Sequence, residues 1–208
     1  MEKRQDTLPG IEEVAEAINH AVPGAGVTVC TNPSPSEQHS LLLPSASARD
    51  CANWLKNKSP WKFDYLSNVT GNDWPEDLIA KMSKKKPVVD AGEDEMHPCL
   101  EAVYHLYSLS GSIGLLVIRL RTKNRSSEVT LPSLTPVWRS AELQEREIFD
   151  LYGIRFDGHP DLRRLLMWEE FEDYPMRKDY VEPDDYEYEP TPHDDVLKKS
   201  HQEQGGSK

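Results

Sequence analysis

Apolar positions along the chain recur at two periods, and their succession predicts helices alternating with strands. Ile11, Val14, Ala15 and Ile18 share one face of a helix over residues 7–22. Thr7 is its candidate cap, Pro9 stands in the first turn, Glu12 and Glu13 lie near the positive end of its dipole, and Pro23-Gly24 stops it. Residues 27–30 read as a short strand, and the Asn32-Pro-Ser-Pro-Ser36 stretch is too rich in proline for a sheet interior. Residues 41–43 read as the next strand. Ser45 or Ser47 then caps a second helix with Ala48, Cys51, Ala52 and Leu55 facing inward, Trp54 beside them and Pro60 beyond its end. A strand over 63–69 leads to a turn at Gly71-Asn72-Asp73, and a short helix with an acidic first turn covers 75–82.

The clearest β signal is the pair 101–109 and 113–122, joined by Ser110-Gly111-Ser112, a hairpin with a glycine-containing turn. Both faces of the first arm carry bulky groups, which places the hairpin centrally in a sheet covered by helices on at least one side. His105, mid-strand, is expected to be a satisfied core or surface histidine. After Pro132 and Pro136 a helix runs from Ala141 to Tyr152, with Ser140 as cap and Gly153 as stop. A further helical turn is expected through 162–167, following Pro160. Residues 88–98 lack periodicity and read as an acidic loop.

Charge is uneven. Residues 169–208 carry 13 acidic and 5 basic side chains, a net −8 of the chain's −12. That balance argues against nucleic-acid binding, which needs a basic face. The Lys84-Lys85-Lys86 run, followed by Pro87, reads as a solvated helix end. Residues 183–192 are Asp, Glu, Tyr and Pro with almost no aliphatic side chain, so they are expected to form an extended arm. The longest apolar run, 113–118, is far short of a membrane span, and no signal-peptide core follows the N-terminus, so a soluble chain of cytosolic origin is expected. Cys30, Cys51 and Cys99 form no C-x-x-C pair and argue against a disulfide framework, a zinc site or an iron–sulfur cluster.

The densest chemistry lies at 145–180, where Glu145, Arg146, Glu147, Asp150, His159, Asp161, Arg163, Arg164, Arg177, Lys178 and Asp179 alternate with apolar anchors. On a helix, Glu142, Arg146 and Asp150 fall at four-residue spacing and can form a charge ladder. An acid–base site would make Glu145, Glu147 or Asp150 the base and His159 its partner, yet nearby arginines would hold those carboxylates ionised. A metal site is disfavoured because Glu145 and Glu147 point to different sides of a helix and only one histidine is near. Arginine–carboxylate pairs interleaved with Phe149, Tyr152, Phe156 and Trp168 instead make the mix enriched at protein–protein contacts.

Glu145-Arg146-Glu147-x-x-Asp150-Leu151-Tyr152, followed by His159-x-x-x-Arg163-x-Leu165-Leu166 and Pro175-Met176-Arg177-Lys178-Asp179-Tyr180, resembles the signature of the C-type subunit of the proton-pumping NADH-quinone oxidoreductase, respiratory complex I. Phe63-Asp64-Tyr65-Leu66-Ser67, the 103–109 stretch and Leu131-Pro132-Ser133-Leu134 are similar as well, so the resemblance runs from about Ala48 to Tyr180. This chain lacks a tryptophan often found near the Gln144 position, and has methionine at 176 where leucine is commoner. The 88–98 segment resembles an insertion, and the 186–192 arm goes beyond the shared core.

The resemblance implies an α+β protein, an antiparallel sheet of about four strands flanked by helices, spanning 1–180 and followed by an extended acidic arm at 181–208. It implies a non-redox subunit, not catalytic alone, that docks the quinone-site D-type subunit and the ferredoxin-like I-type subunit, with the B-type subunit and others nearby. The iron–sulfur clusters, FMN and quinone would sit in those partners. The eleven charged residues named above become the expected partner interface. The expected location is peripheral, on the cytoplasmic side of the inner (plasma) membrane. Deazaflavin-dependent dehydrogenases, ferredoxin-driven photosynthetic complexes and membrane-bound hydrogenases use related subunits, and the motif does not separate them.

Overall fold

The computed structural model describes residues 10–32, 34–36, 38–85 and 97–181. The chain divides into a compact unit, Met1–Lys178, and a C-terminal unit, Asp179–Lys208. The Thr7 cap, most of the 88–98 loop and the 183–192 arm lie outside the described residues.

The first helix, α1 (Ile11–Ala21), buries Val14, Ala15 and Ile18. From the last turn of the helix the Asn19 side chain takes the place of a neighbouring strand for Val27, donating to its carbonyl at 2.9 Å and accepting its N–H at 2.8 Å. That bracket launches β1 (Thr28–Cys30), which pairs antiparallel with β2 (Ser40–Leu42). Helix α2 (Ala48–Asn57) turns Ala48, Cys51, Ala52 and Leu55 inward as its apolar period requires. Ser47 stands at its N-terminus, but its hydroxyl donates to the carbonyls of Ala25 and Pro44 instead of capping.

Strand β3 (Tyr65–Trp74) is longer than its sequence suggests. Gly71-Asn72-Asp73 does not turn but continues in register with Ala102, Glu101 and Leu100. The glycine serves close packing: a Cβ there would stand 2.5 Å from the Tyr152 ring. Helix α3 (Glu76–Lys85) follows, and then β4 (Cys99–Ser108) and β5 (Ile113–Arg121) form the hairpin. The Asp64 carboxylate holds its turn, accepting the N–H of Leu109 at 2.8 Å and of Ser110 at 3.3 Å.

The strand order is β1-β2-β5-β4-β3, so the hairpin is central, with β4 between β5 and β3. The sheet has five strands where about four were expected, and β2 joins β5 in parallel, which makes it mixed. A separate two-stranded parallel sheet, β6 (Thr130–Pro132) with β7 (Arg155–Asp157), was not anticipated; each strand is too short to carry a period. The core lies on one face of the main sheet. Leu100, Ala102, Tyr104 and Leu106 of β4, with Leu116, Ile118 and Leu120 of β5, meet Ile18 of α1, Leu55 of α2 and Ile148 of the last helix, α4 (Ala141–Tyr152).

Candidate functional site

Helix α4 ends where Gly153 adopts φ 78°, a left-handed conformation that suits glycine, and its N–H closes on the Phe149 carbonyl. Its start differs from expectation: Ser140 donates to the Leu66 carbonyl at 3.0 Å, tying the helix to β3, and makes no side-chain cap. The helix turns charge inward. Glu145, Arg146 and Asp150 are buried beside Ala141 and Ile148. The charge ladder does not form; Glu142 pairs with Arg139, while Arg146 and Asp150 reach chain beyond the helix.

Glu145 is fully buried and is held by uncharged donors. Oε1 accepts from Tyr104 Oη at 3.1 Å and Leu134 N–H at 2.8 Å, and Oε2 from Ser133 Oγ at 2.5 Å and Thr135 Oγ1 at 3.2 Å. Burial pushes its carboxyl above the usual range, against the lowering effect of those bonds. Burial and the nearby carboxylate likewise push the Tyr104 phenol well up. The expectation that arginines keep Glu145 at low pKa is therefore corrected: the helix aims it at hydroxyls.

Asp150 is the opposite case. Oδ2 accepts three successive backbone N–H groups, Leu165 at 2.9 Å, Leu166 at 2.6 Å and Met167 at 2.9 Å, while Oδ1 receives Arg164 at 2.7 Å. Burial opposes ionisation, but these bonds outweigh it and hold the carboxyl below its ordinary value. The expected helical turn at 162–167 is absent for this reason: its N–H groups belong to Asp150. Arg146 fixes the same loop through the carbonyls of Arg163 at 3.2 Å and Arg164 at 3.1 Å, and lies 3.6 Å from Asp161. Arg164 also lies over the rings of Phe171 and Tyr174.

The remaining charged residues of the block spread around this framework. His159 Nδ1 accepts the Asp161 N–H at 3.1 Å, so its Nε2 faces the Glu142 carbonyl at 2.9 Å as the donor. Exposed Arg163 pairs with Asp161 at 3.0 Å, and Glu147 is exposed. Arg177 donates to the carbonyls of Tyr152 at 2.7 Å and Arg125 at 3.1 Å, under the Tyr174 ring. The Lys178 N–H reaches the carboxylate of Asp73, which also receives Arg125 through two nitrogens. Asp179 begins the second unit.

Sequence reasoning missed this Asp73–Arg125 anchor and a second one on the sheet, where fully buried Glu101 binds Arg119 at 2.7 Å, Arg121 at 2.9 Å and Trp74 Nε1 at 3.0 Å. Alternation along β4 and β5 carries the only signal for the latter. Half-buried His105 differs from expectation: among the described residues its Nδ1 finds no hydrogen-bond partner, and burial lowers its pKa. Among the described residues no group of three His, Cys, Asp or Glu side chains could hold a metal ion, and no helix is long and apolar enough to cross a membrane.

Residues 41–186 match the family described as respiratory-chain NADH dehydrogenase, 30 Kd subunit. The chain belongs to that family. This 30 kDa-subunit match begins inside β2 and takes in all of the charged framework. The chain is 39% identical over 144 residues to the C 2 subunit of NADH-quinone oxidoreductase from Rhizobium meliloti (strain 1021), covering 68% of this chain and 65% of that protein. It therefore spans just under two thirds of that relative's length. It is 42% identical over 151 residues to NAD(P)H-quinone oxidoreductase subunit J of Prochlorococcus marinus (strain NATL2A), covering 65% of this chain and 87% of that protein. One polypeptide in the structure of the membrane-bound sulfane sulfur reductase, an archaeal respiratory membrane complex, shares the fold at TM-score 0.56 and 20% identity, covering 92% and 91% of the two chains. The resemblance read from the Glu145-Arg146-Glu147 signature is borne out at the level of the family.

Proposed function

We propose that the chain is a cofactor-free docking subunit of the hydrophilic arm of an NADH-quinone oxidoreductase. It holds the quinone-site D-type subunit and the ferredoxin-like I-type subunit in register, with the B-type subunit and others nearby. Electrons then pass from NADH to quinone, coupled to proton translocation, through FMN and iron–sulfur clusters in those partners. The observation that carries this reading is the family match over 41–186 together with a framework in which Arg146 and Asp150, buried on α4, shape one surface loop. A carboxylate poised for proton transfer would sit in a cleft near neutrality. Asp150 is locked as an anion and Glu145 is enclosed by its own hydroxyl donors. The chain sits peripherally on the cytoplasmic side of the membrane as part of the complex.

A second reading is the equivalent subunit of a related complex with another electron donor, since the chain is also 42% identical to a protein named for an NAD(P)H-quinone oxidoreductase and not for the NADH enzyme alone. Affinity purification of the tagged chain from native membranes, followed by assay with NADH, reduced ferredoxin and reduced deazaflavin, separates the two. Turnover with NADH and a co-purifying flavoprotein is expected; turnover with reduced ferredoxin alone selects the second reading. A coloured isolated chain overturns the cofactor-free role.

A further inference from the structure

Residues 162–176 combine two properties that do not ordinarily meet. Their backbone is held as tightly as a core element, by Asp150 across three consecutive N–H groups, by Arg146 on two carbonyls, and by the Met176 N–H on the Leu151 carbonyl at 3.1 Å. Yet their apolar side chains face outward: Leu166 is 62% exposed, Trp168 50%, Met176 50% and Leu165 39%. A strip with no regular structure would normally turn its leucines under itself; here Phe171 is buried edge-to-face against the Trp168 ring and Leu162 packs against the core, while Leu165 and Leu166 stay outside. The backbone that carries them is tied to neighbouring residues of α4, residues 165–167 to Asp150 and Met176 to Leu151, which sets Leu165, Leu166 and Trp168, within four residues of one another, as a short ridge at the end of that helix. Single exposed leucines are ordinary surface features, whereas a clustered and pre-shaped set marks a contact surface.

The surroundings of the ridge are acidic. Glu169, Glu170, Glu172 and Asp173 are all within it, while the neighbouring Arg163 is already matched by Asp161. An anionic lipid surface would be repelled, and a second copy of the chain would bring acid against acid. We infer that the Leu165–Leu166–Trp168 ridge is the chain's docking edge for a partner protein that presents an apolar groove rimmed by lysine or arginine. Arg146 and Asp150 of α4 act as positioning residues for this edge and do not themselves touch the partner. The inference rests on the docking function proposed above, and it moves the contact from the charged block to the leucines that the block holds out.

The test uses the full tagged chain expressed in its native host. Leu166→Glu is expected to lower the fraction of chain recovered in the membrane complex roughly tenfold, the effect of losing one central apolar anchor. Leu166→Met should recover like wild type, and the melting temperature of the purified Leu166→Glu chain should be unchanged. Wild-type recovery of the Leu166→Glu chain overturns the ridge. Failure of the unmodified chain to join any membrane complex overturns the docking function instead. Glu169→Lys with Glu170→Lys should also reduce recovery, and an increase would overturn the assigned charge of the partner. Leu166→p-benzoylphenylalanine, irradiated in the purified complex, should cross-link to an apolar peptide of another subunit flanked by basic residues. Cross-linking to a second copy, or flotation of the chain with phosphatidylglycerol vesicles that Leu166→Glu abolishes, would also overturn the inference.

Discussion

Asp73 on β3 accepts the backbone N–H of Lys178 at 2.7 Å, a bond that spans 105 residues of sequence. The same fully buried carboxylate receives Arg125 Nε at 2.5 Å and Nη2 at 2.6 Å. The last residues of the compact unit are thus tied to the sheet through one anion. Asp73→Ala removes the two-nitrogen acceptor from the largely buried Arg125 guanidinium, and a loss of about 3 kcal/mol is expected. Because the Lys178 tether goes at the same time, trypsin should cut after Arg177 and Lys178 in a chain whose circular dichroism is still that of the folded protein. Equal cleavage rates in wild type and variant would show that the tether lies elsewhere.

Asp150→Asn should lower stability by about 3 kcal/mol at pH 7, since Arg164 loses its anion while the loop N–H groups keep a weaker acceptor. The pH dependence has a definite sign. Asp150 has a folded pKa below its unfolded value, so its contribution is complete above about pH 4 and is lost as pH falls through the folded value. Chemical denaturation from pH 7 down to pH 2 should show a shallower acid limb in the variant.

Glu145 works in the other direction. Its folded pKa is raised, so its stabilising contribution is present below about pH 4.3 and fades as pH rises through the folded value. The stability of wild type relative to Glu145→Gln should therefore be greatest in acid and decline toward neutrality. A difference that grows with pH would mean that the carboxylate is held as an anion.

Gly71→Ala would place a methyl 2.5 Å from two carbons of the Tyr152 ring. A loss of about 2 kcal/mol is expected from this overpacking. The double variant with Tyr152→Ala should be more stable than the sum of the single changes implies, because the clash needs both partners. Strict additivity in a double-mutant cycle measured by urea denaturation would show that the ring moves aside freely.

Arg146→Ala, at a residue expected from sequence to meet a partner, should loosen the chain's own loop as well as impair assembly. The guanidinium binds the carbonyls of Arg163 and Arg164 within its own chain. Hydrogen exchange at residues 163–167 should accelerate in the variant while the β4–β5 hairpin stays protected.

Local patterns were legible, and long-range charge placement was not. The inward face of α2, the 101–122 hairpin and the Gly153 stop follow from residues three or four apart, or from a single φ requirement, and all appear where expected. Leu162, Leu165 and Leu166 carry helical spacing too, but a helix there would need N–H groups that Asp150 holds, from 15 to 17 residues away. The partners of Glu145 sit on β4 and in the segment after β6, at separations of 41 and of 10–12 residues, which no window along the chain brings together. The carboxylates of α4 look alike in sequence, and what surrounds each, hydroxyls and a strand tyrosine at Glu145 but loop N–H groups and Arg164 at Asp150, shifts their pKa values in opposite directions.

The loop at 162–167 has no secondary structure to give it shape, so its form is inherited from α4 as a casting takes the form of its mould. An outward leucine can be replaced without disturbing the backbone beneath it, because its own side chain holds none of that backbone. A change at Asp150 or Arg146 would instead deform every contact the loop makes at once. The helix is thus the half that sets the form and the loop the half that displays it.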